Sequence, residues 1–355
     1  MKTILTVVLS VLFSMTTLSA GTMVVTDGVY TPFSTTIINN QVRDIADDLN
    51  DEAMIKLSGN QDNLATATHS SNASLILQGS LFTGLDAENA SVSIGTGIGT
   101  ENAPDLPNFA DHIENGKDES TSVALGGIVG SVYFNADSLI GLPIPGLIFN
   151  FTGGGYTMDN IEGYDLSYES YLVGGGVRYK FYNIGLQEPM FQVRDFTVGT
   201  GVYYSNNETT FIPEDIEKTS SESQGFYTRS NTELEFQMKS TNLTIPVDVV
   251  TSAKTINFIN LIGGVGVDFT FGETEIDVKS DTSVTAFDSD DNVVETNNPA
   301  KMRLTNSKTT ASAPVARFKT IIGLGLNFDP VRIDVPIAIY PTSGYTAALM
   351  VGGVF

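Results

Sequence analysis

Apolar and polar side chains alternate with a period of two in several long segments of the second half of the chain. In segment 331–340, every odd position is Val or Ile, whereas the even positions include Arg332 and Asp334. Segments 171–181, 232–239 and 316–328 alternate in the same way. Because successive side chains of a strand point to opposite faces, each segment is predicted to be a β-strand with one apolar and one polar face.

The length of these runs bears on the kind of sheet that they form. Several continue for ten residues or more, whereas strands in globular proteins are commonly about 5–6 residues long. A strand tilted by about 45° needs about 9–11 residues to cross a bilayer. In a membrane barrel the apolar face meets lipid and the polar face lines the lumen. A soluble periplasmic β-sandwich, with its apolar faces turned inward, is the structural alternative.

The whole mature chain divides into alternating segments and polar connections. Short turns are predicted at 142–146, 329–330 and 341–344. Strict up-and-down alternation of the strands, however, places 341–344 at the end of the barrel opposite 329–330. External loops are predicted at 101–120, 206–224 and 281–310. Single-chain bacterial barrels usually have an even number of strands. We therefore predict an all-β fold, a transmembrane antiparallel β-barrel of about 14 strands within a range of about 12–16, with a short N-terminal helix. The candidate strands are 73–82, 90–99, 121–135, 145–155, 165–182, 191–205, 225–239, 242–250, 255–271, 273–280, 311–328, 331–340 and 344–355.

The N-terminal part of the chain has a different pattern. Lys2, an apolar run over 4–15 and the small residues 18–20 are typical of a cleaved export signal. Segment 38–57 has an apolar face of helical period and is the best helix candidate of the mature chain. It is interpreted either as a plug of the lumen or as a cap of the periplasmic rim. The predicted organisation is a signal peptide (1–20), an N-terminal extension with this amphipathic helix (21–65) and a barrel domain (66–355).

The last strand carries a family resemblance. Tyr345, Leu349, Val351 and the terminal Phe355 lie on one face, and this pattern resembles the β-signal of bacterial outer-membrane β-barrel proteins; Gly353 stands where that signal prefers a larger apolar residue. The resemblance implies a bacterial outer-membrane location and insertion by the barrel-assembly machinery. In architecture the chain is similar to the fatty-acid and hydrocarbon transporters of the outer membrane, but their N-terminal motif is not found in it.

Composition narrows the class of partner. The chain has 18 Lys and Arg against 41 Asp and Glu, a formal net charge of −23, and no cysteine. Nucleic acid is excluded as a partner because binding to phosphates needs clustered basic residues. The absence of cysteine removes disulfides, thiol catalysis and cysteine-metal sites. The partners that remain are outer-membrane lipid, the barrel-assembly machinery and a small solute.

Candidate chemistry is sparse. The two histidines, His69 and His112, both lie in polar stretches where a solvated residue is the default, and a Ser-His-Asp site is defined by geometry rather than by sequence neighbours. The acidic run 288–292 lacks the glycine and the glutamate of a calcium loop. We therefore predict that the protein is not an enzyme and has no cofactor and no metal site.

The charged residues on the predicted polar faces are the candidates for the pore lining, because rings of charge select solutes by sign. The leading hypothesis is a channel or a substrate-selective, porin-like transporter of the outer membrane. The alternatives are a structural or surface-adhesion barrel whose external loops bind partners, and an envelope enzyme that uses His69 or His112. The pore-lining candidates are Arg178, Lys180, Glu233, Glu235, Lys239, Arg317, Lys319, Arg332 and Asp334.

Overall fold

The described part of the chain consists of two helices and sixteen strands. The helices are α1 (Thr35–Leu49) and α2 (Gln61–Leu81). The strands are β1 (Thr22–Tyr30), β2 (Ala90–Glu101), β3 (Ser122–Asn135), β4 (Leu147–Ile161), β5 (Tyr164–Lys180), β6 (Gln187–Glu188), β7 (Phe191–Val193), β8 (Thr197–Ile212), β9 (Ile216–Thr219), β10 (Phe226–Thr255), β11 (Ile259–Asp288), β12 (Thr296–Thr305), β13 (Thr309–Ala311), β14 (Ala316–Phe328), β15 (Val331–Tyr340) and β16 (Gly344–Val354). The computed structural model describes residues 22–30, 35–49, 61–81, 90–101, 122–137, 141, 144–161, 164–181, 187–188, 191–193, 196–212, 216–220, 222–255, 258–294, 296–305, 308–328, 330–341 and 344–354.

Ten of these strands close into a ring in which every neighbouring pair is antiparallel. In order around the ring they are β2, β3, β4, β5, β8, β10, β11, β14, β15 and β16, and β16 pairs with β2 to complete it. An antiparallel β-barrel is therefore confirmed. The sheet contains 16 strands in all, so the predicted number of about 14 falls between the ring and the whole sheet.

The two ends of the ring differ in their connections. β3 is joined to β4, β10 to β11 and β14 to β15 at one end, which we call the short-turn end. β2 is joined to β3, β8 to β10 and β11 to β14 at the other, the long-loop end. β15 also ends at the long-loop end, so the connection 341–344 lies there, opposite 329–330. The three predicted short turns therefore do not all lie at one end of the ring, as strict up-and-down alternation requires.

The sheet continues beyond the ring at the long-loop end. β8 pairs with β10 only as far as Phe236, and β14 pairs with β11 only as far as Phe269. Beyond these positions β10 and β11 stay paired with each other, and β9, β12 and β1 are added at their sides. We call β1, β9, β12 and the segments 226–235 and 272–288 the extension. Much of the predicted loops 206–224 and 281–310 is therefore strand, at 206–212, 216–219, 281–288 and 296–305.

The outer face of the ring forms an apolar belt with aromatic residues at both edges. Phe258 and Phe328 stack at the short-turn end, with centroids 6.2 Å apart, and Tyr171 and Tyr204 pair toward the long-loop end at 5.9 Å. Phe318 is 75% exposed and lies ten residues from Phe328 on β14. Ten residues rise ~34 Å along a strand, or ~24–28 Å along the axis at a tilt of 35–45°, which matches the ~25 Å apolar band of membrane barrels.

Helix α1 lies at the long-loop end, on the inner face of the extension. Its Ile38, Val42 and Ile45 pack in one buried cluster with residues of β11 and β12, including Val284 and Met302. The predicted helix 38–57 is thus confirmed as far as Leu49, and residues 50–57 lie outside the described residues. α1 therefore packs against the extension at the long-loop end.

Helix α2 occupies the lumen of the ring. Every side chain of segment 65–77 is buried, with polar and apolar residues alike. The predicted strand 73–82 was therefore wrong: a helix surrounded on all sides has no apolar stripe, so its sequence lacks the helical period. α2 also runs through position 66, where the barrel domain was predicted to begin, and the first ring strand starts at Ala90. No helix in the described part of the chain is long and apolar enough to span a membrane.

Candidate functional site

The lumen is the candidate site, and small residues let α2 approach its wall. A Cβ added to Gly99 of β2 would lie 2.6 Å from the backbone oxygen of Ala67 and would clash with the backbone nitrogen of Ser71. At Gly126 of β3 it would lie 3.0 Å from Cγ of Leu75. Glycines on β2 and β3 thus leave the space that the helix fills.

Polar groups fix the middle of α2 to the wall. The guanidinium of Arg317 donates a hydrogen bond to Oγ of Ser70 at 2.8 Å, and Oγ1 of Thr346 donates to the Ser70 carbonyl at 2.8 Å. Nδ2 of Asn207 donates to Oδ1 of Asn72 at 3.0 Å. These bonds join α2 to β14, β16 and β8, which lie on different sides of the ring.

Apolar contacts hold the C-terminal half of α2. Leu75 and Ile76 belong to a buried cluster with Val129, Leu172 and Tyr203, on the β3–β5–β8 side of the ring. On the opposite side, the cluster around α2 consists of Ala73, Leu77, Val250, Ile262, Ile321, Ala338 and Tyr340. The helix is therefore packed on both flanks, which is expected to restrict its movement.

A network of buried charged residues lies on the inner face of the wall beside α2. Nζ of Lys319 lies 2.5 Å from Asp268 and 3.0 Å from Asp248, and Arg178 lies 3.8 Å from Asp248. The hydroxyl of Tyr340 donates to Asp268 at 2.7 Å. Both aspartates lie on the inward face of their strands. They were not among the predicted pore-lining residues, although the period of two along each strand could have identified them.

The network reaches α2 through aromatic and guanidinium groups. Arg317, which binds Ser70, lies with its Cζ 3.9 Å from the ring centroid of Tyr340. A second buried ion pair, Arg332 with Asp334, lies closer to the short-turn end. Nε of Arg332 is 2.9 Å from Oδ2 of Asp334. Near it, Asn260 is fully buried, and neither polar atom of its side chain has a hydrogen-bond partner among the described residues.

Six of the predicted pore-lining residues lie on the inward face of the ring. Lys180 is half-buried at the short-turn end of the ring. In the β5–β8 register it stands opposite Thr197, which is buried. The five others are almost fully buried against α2 or in the ionic pairs, so they line a filled lumen. They are Arg178, Arg317, Lys319, Arg332 and Asp334.

The other three candidates, Glu233, Glu235 and Lys239, lie on the outward face, so their prediction as pore-lining residues was wrong. On this part of β10 the inward position Leu234 is buried, whereas the charged positions face outward. The period of two is the same, but the segment rises beyond the apolar belt, so its outer face meets water instead of lipid. Glu235 accepts a hydrogen bond from Lys279 at 2.7 Å, and Lys239 lies 3.9 Å from Glu208.

The C-terminal strand keeps the pattern that carried the family resemblance. Leu349 and Val351 are exposed on the outward face of β16, and Tyr345 shares that face. Phe355 lies outside the described residues, as does the predicted signal peptide.

Comparison with known proteins identifies the family. A family model described as Lsa36-like matches residues 18–355. The chain belongs to the Lsa36-like family. No curated protein matches its sequence.

Several solved structures are similar to this Lsa36-like chain. The toluene transporter TbuX of Ralstonia pickettii has 7% identity and a TM-score of 0.27, covering 83% of this chain and 99% of its own. A major outer membrane protein of Thermus thermophilus has 12% identity and a TM-score of 0.28, covering 75% and 99%. The translocator domain of the autotransporter NalP of Neisseria meningitidis has 11% identity and a TM-score of 0.31, covering 82% and 99%.

Of the two candidate catalytic histidines of this Lsa36-like chain, the structure describes His69. His69 is buried on α2, and neither ring nitrogen has a hydrogen-bond partner among the described residues. His112 lies outside the described residues. Within the described ranges, no group of three or more His, Asp or Glu side chains is placed to hold a metal ion.

Proposed function

We propose that this Lsa36-like protein is an outer-membrane channel whose lumen is closed by α2 and conducts small polar solutes when α2 moves. One observation carries the proposal: a helix of small polar residues fills a lumen whose wall is itself polar. The wall residues Asn207, Arg317 and Thr346 are buried where they bond to α2. Displacement of α2 would expose these groups to water, which wets them readily.

The bacterial outer membrane is the proposed location. It is supported by the apolar belt with its aromatic edges, by the C-terminal pattern and by the export signal read from the sequence. Outer-membrane barrels carry short turns on the periplasmic side and longer loops outside, so the long-loop end is assigned to the cell exterior. The barrel-assembly machinery is the proposed partner for insertion.

The charges of the lumen favour uncharged polar solutes. Arg178 and Lys319 lie beside Asp248 and Asp268, and Arg332 lies beside Asp334. Each cationic group of these pairs has an acidic neighbour, so they form no ring of a single sign of the kind that selects ions. The unpartnered amide of Asn260 adds a place where a water or a small polar solute can bind.

An engineered disulfide tests whether α2 gates the channel. The side chains of Asn72 and Asn207 already meet at 3.0 Å, and the chain has no native cysteine. A disulfide needs its two Cβ atoms about 3.5–4.5 Å apart, closer than the contact between two longer amide side chains requires. Oxidation of the Asn72→Cys/Asn207→Cys variant should therefore draw α2 toward β8 and lock it there. Single-channel recordings should show conductance after reduction and its loss after oxidation.

The control variant is Asn72→Cys/Val202→Cys, because Val202 is 51% exposed on the outer face of β8 and cannot reach the lumen. Its conductance should not respond to oxidation, and both variants should keep heat-modifiable migration in detergent gels. Equal conductance of the reduced and oxidised Asn207 variant, or no conductance from any reduced sample, contradicts the channel.

The second candidate function is a surface barrel whose long-loop end binds partners. The observation that favours it is the extension, whose outer face carries Glu233, Glu235, Lys279 and other charged residues instead of belt residues. Paired shortening of segments 226–233 and 281–288 should leave the barrel heat-modifiable and reduce adhesion of cells to matrix-coated plates. Unchanged adhesion of cells that present the shortened chain contradicts this function.

A further inference from the structure

We infer that the barrel displays its own N-terminal segment, residues 22–49, at the long-loop end, and that α2 is the part of the chain that crosses the lumen to connect this segment with the ring. The inference adds a topology and a display function to the channel. It rests on the proposed function only for the assignment of the long-loop end to the cell exterior.

The direction of α2 follows from its contacts. Ser70 bonds to Arg317 and Thr346, which stand near the long-loop ends of β14 and β16. Leu77 belongs to the buried cluster that contains Val250 and Ile262, which stand near the short-turn ends of β10 and β11. Seven residues rise ~10 Å along a helix, so α2 runs from the long-loop end toward the short-turn end.

The chain that follows α2 agrees with this direction. β2 begins at Ala90, which pairs with Phe134 near the short-turn end of β3. From there β2 rises along the wall to the long-loop end. The start of α2 therefore faces the long-loop end.

The segment before α2 is folded there, as part of the extension. Nε2 of Gln41 on α1 donates to the Phe226 carbonyl at 2.8 Å, at the far end of β10. Ile38, Val42 and Ile45 fill the inner face of the extension. β1 pairs with β12 from Thr22↔Thr305 to Tyr30↔Thr296. Three separate contacts thus tie this segment to the side that carries the long connections.

The composition of α2 suits a helix inside a ring of ten strands. Segment 65–74 consists of Ala, Thr, Ser, Asn and one His, so the helix is narrow where the wall is closest. The bulky side chains Leu75, Ile76 and Leu77 follow this segment, toward the short-turn end. A sequence fused before Thr22 is therefore expected to reach the cell exterior together with α1.

Single cysteines in the full-length chain test the topology. Arg43 and Asp47 are exposed on α1, Val293 is exposed at the long-loop end, and Ile144 is exposed at the short-turn end. Each is changed to Cys in turn, and cells that express the variant are treated with a membrane-impermeant maleimide before and after the outer membrane is permeabilised. Heat-modifiable migration confirms that each variant is folded.

The expected result is full labelling of the Arg43→Cys, Asp47→Cys and Val293→Cys variants on intact cells, with labelling of the Ile144→Cys variant only after permeabilisation. Labelling of the two α1 variants only after permeabilisation, with Val293→Cys labelled on intact cells, overturns the inference. The reverse pattern, with Ile144→Cys alone labelled on intact cells, overturns it as well, because the long-loop end then faces the periplasm.

An epitope inserted before Thr22, after the export signal, provides a second readout that does not depend on α1 side chains. An antibody should bind it on intact cells, and binding only after permeabilisation overturns the inference. Neither labelling nor antibody binding requires conductance, so loss of the channel activity would leave this result standing.

Discussion

Replacement of Lys319 by Met removes the cation that two buried carboxylates share. Lys319 is 3% exposed and reaches both Asp268 and Asp248. Among the described residues, the change leaves Asp268 with the hydroxyl of Tyr340, whereas Asp248 keeps Arg178 at 3.8 Å. Removal of one partner from a buried ion pair typically costs about 3–5 kcal/mol, because an uncompensated charge stays buried. We expect a loss of this size in the free energy of unfolding.

Reversible urea unfolding in detergent micelles, followed by heat-modifiable migration, measures this loss. A second variant, Lys319→Met/Asp268→Asn, removes the orphaned charge together with its partner. It should recover most of the stability, because a neutral amide can still accept the hydrogen bond from Tyr340.

An exposed pair provides the matched control. Lys279 lies 2.7 Å from Glu235, and their side chains are 54% and 37% exposed. Lys279→Met should cost only about 0–1 kcal/mol, because water screens the remaining charge. A cost for Lys319→Met as small as that of Lys279→Met, or no recovery in the double variant, would refute the reasoning.

Three further predictions address the lumen, the belt and the long-loop end. Gly99→Leu should expel or distort α2 and reduce the fraction of the protein that shows heat-modifiable migration. Gly263→Leu should leave this fraction unchanged, because an added Cβ there meets nothing within 4 Å. Equal fractions for the two variants would contradict the close approach of α2 to Gly99. Val265→Arg, at a site 58% exposed on the belt, should lower unfolding stability in lipid vesicles by about 2–4 kcal/mol, and no loss would argue against lipid contact there. Hydrogen bonds from the backbone and side chain of Asn292 lower the pKa of Asp288 in the folded chain. These bonds should therefore stabilise the turn at any pH above the pKa of Asp288 in the unfolded chain. The stabilisation should be lost as the pH falls through the lower pKa of the folded chain. The protection factor of the Asn292 amide, which is its exchange rate relative to that of an unstructured chain at the same pH, should fall in that acidic range in the native chain but not in Asp288→Asn. A pH-independent protection factor in the native chain would contradict it.

The barrel wall could be predicted because lipid and lumen impose opposite requirements on alternate residues. On β14, Arg317 and Lys319 face inward while Phe318 and Ile322 face outward, as the alternation indicated. The same rule identified the inward face of β15. These strands lie fully within the belt, so apolar positions face outward and polar positions face inward along their whole length.

Two features could not be predicted because their surroundings change the meaning of the pattern. On β10, Glu233 and Glu235 follow the same period but stand above the belt, where water replaces lipid. On α2, burial on all sides removes the contrast between faces on which helix prediction depends. Height relative to the membrane and the occupant of the lumen are properties of the folded barrel, and the local sequence carries neither.

The pairing of β16 with β2 has a consequence for the order of assembly. The last strand of the ring in the sequence closes against the first one, so the circle cannot be completed before β16 has been synthesised. α2 touches both sides of this junction, through Thr346 on β16 and Gly99 on β2. Because α2 precedes both strands in the chain, it is available before they meet, and it is positioned to serve as a template on which the two free edges are aligned.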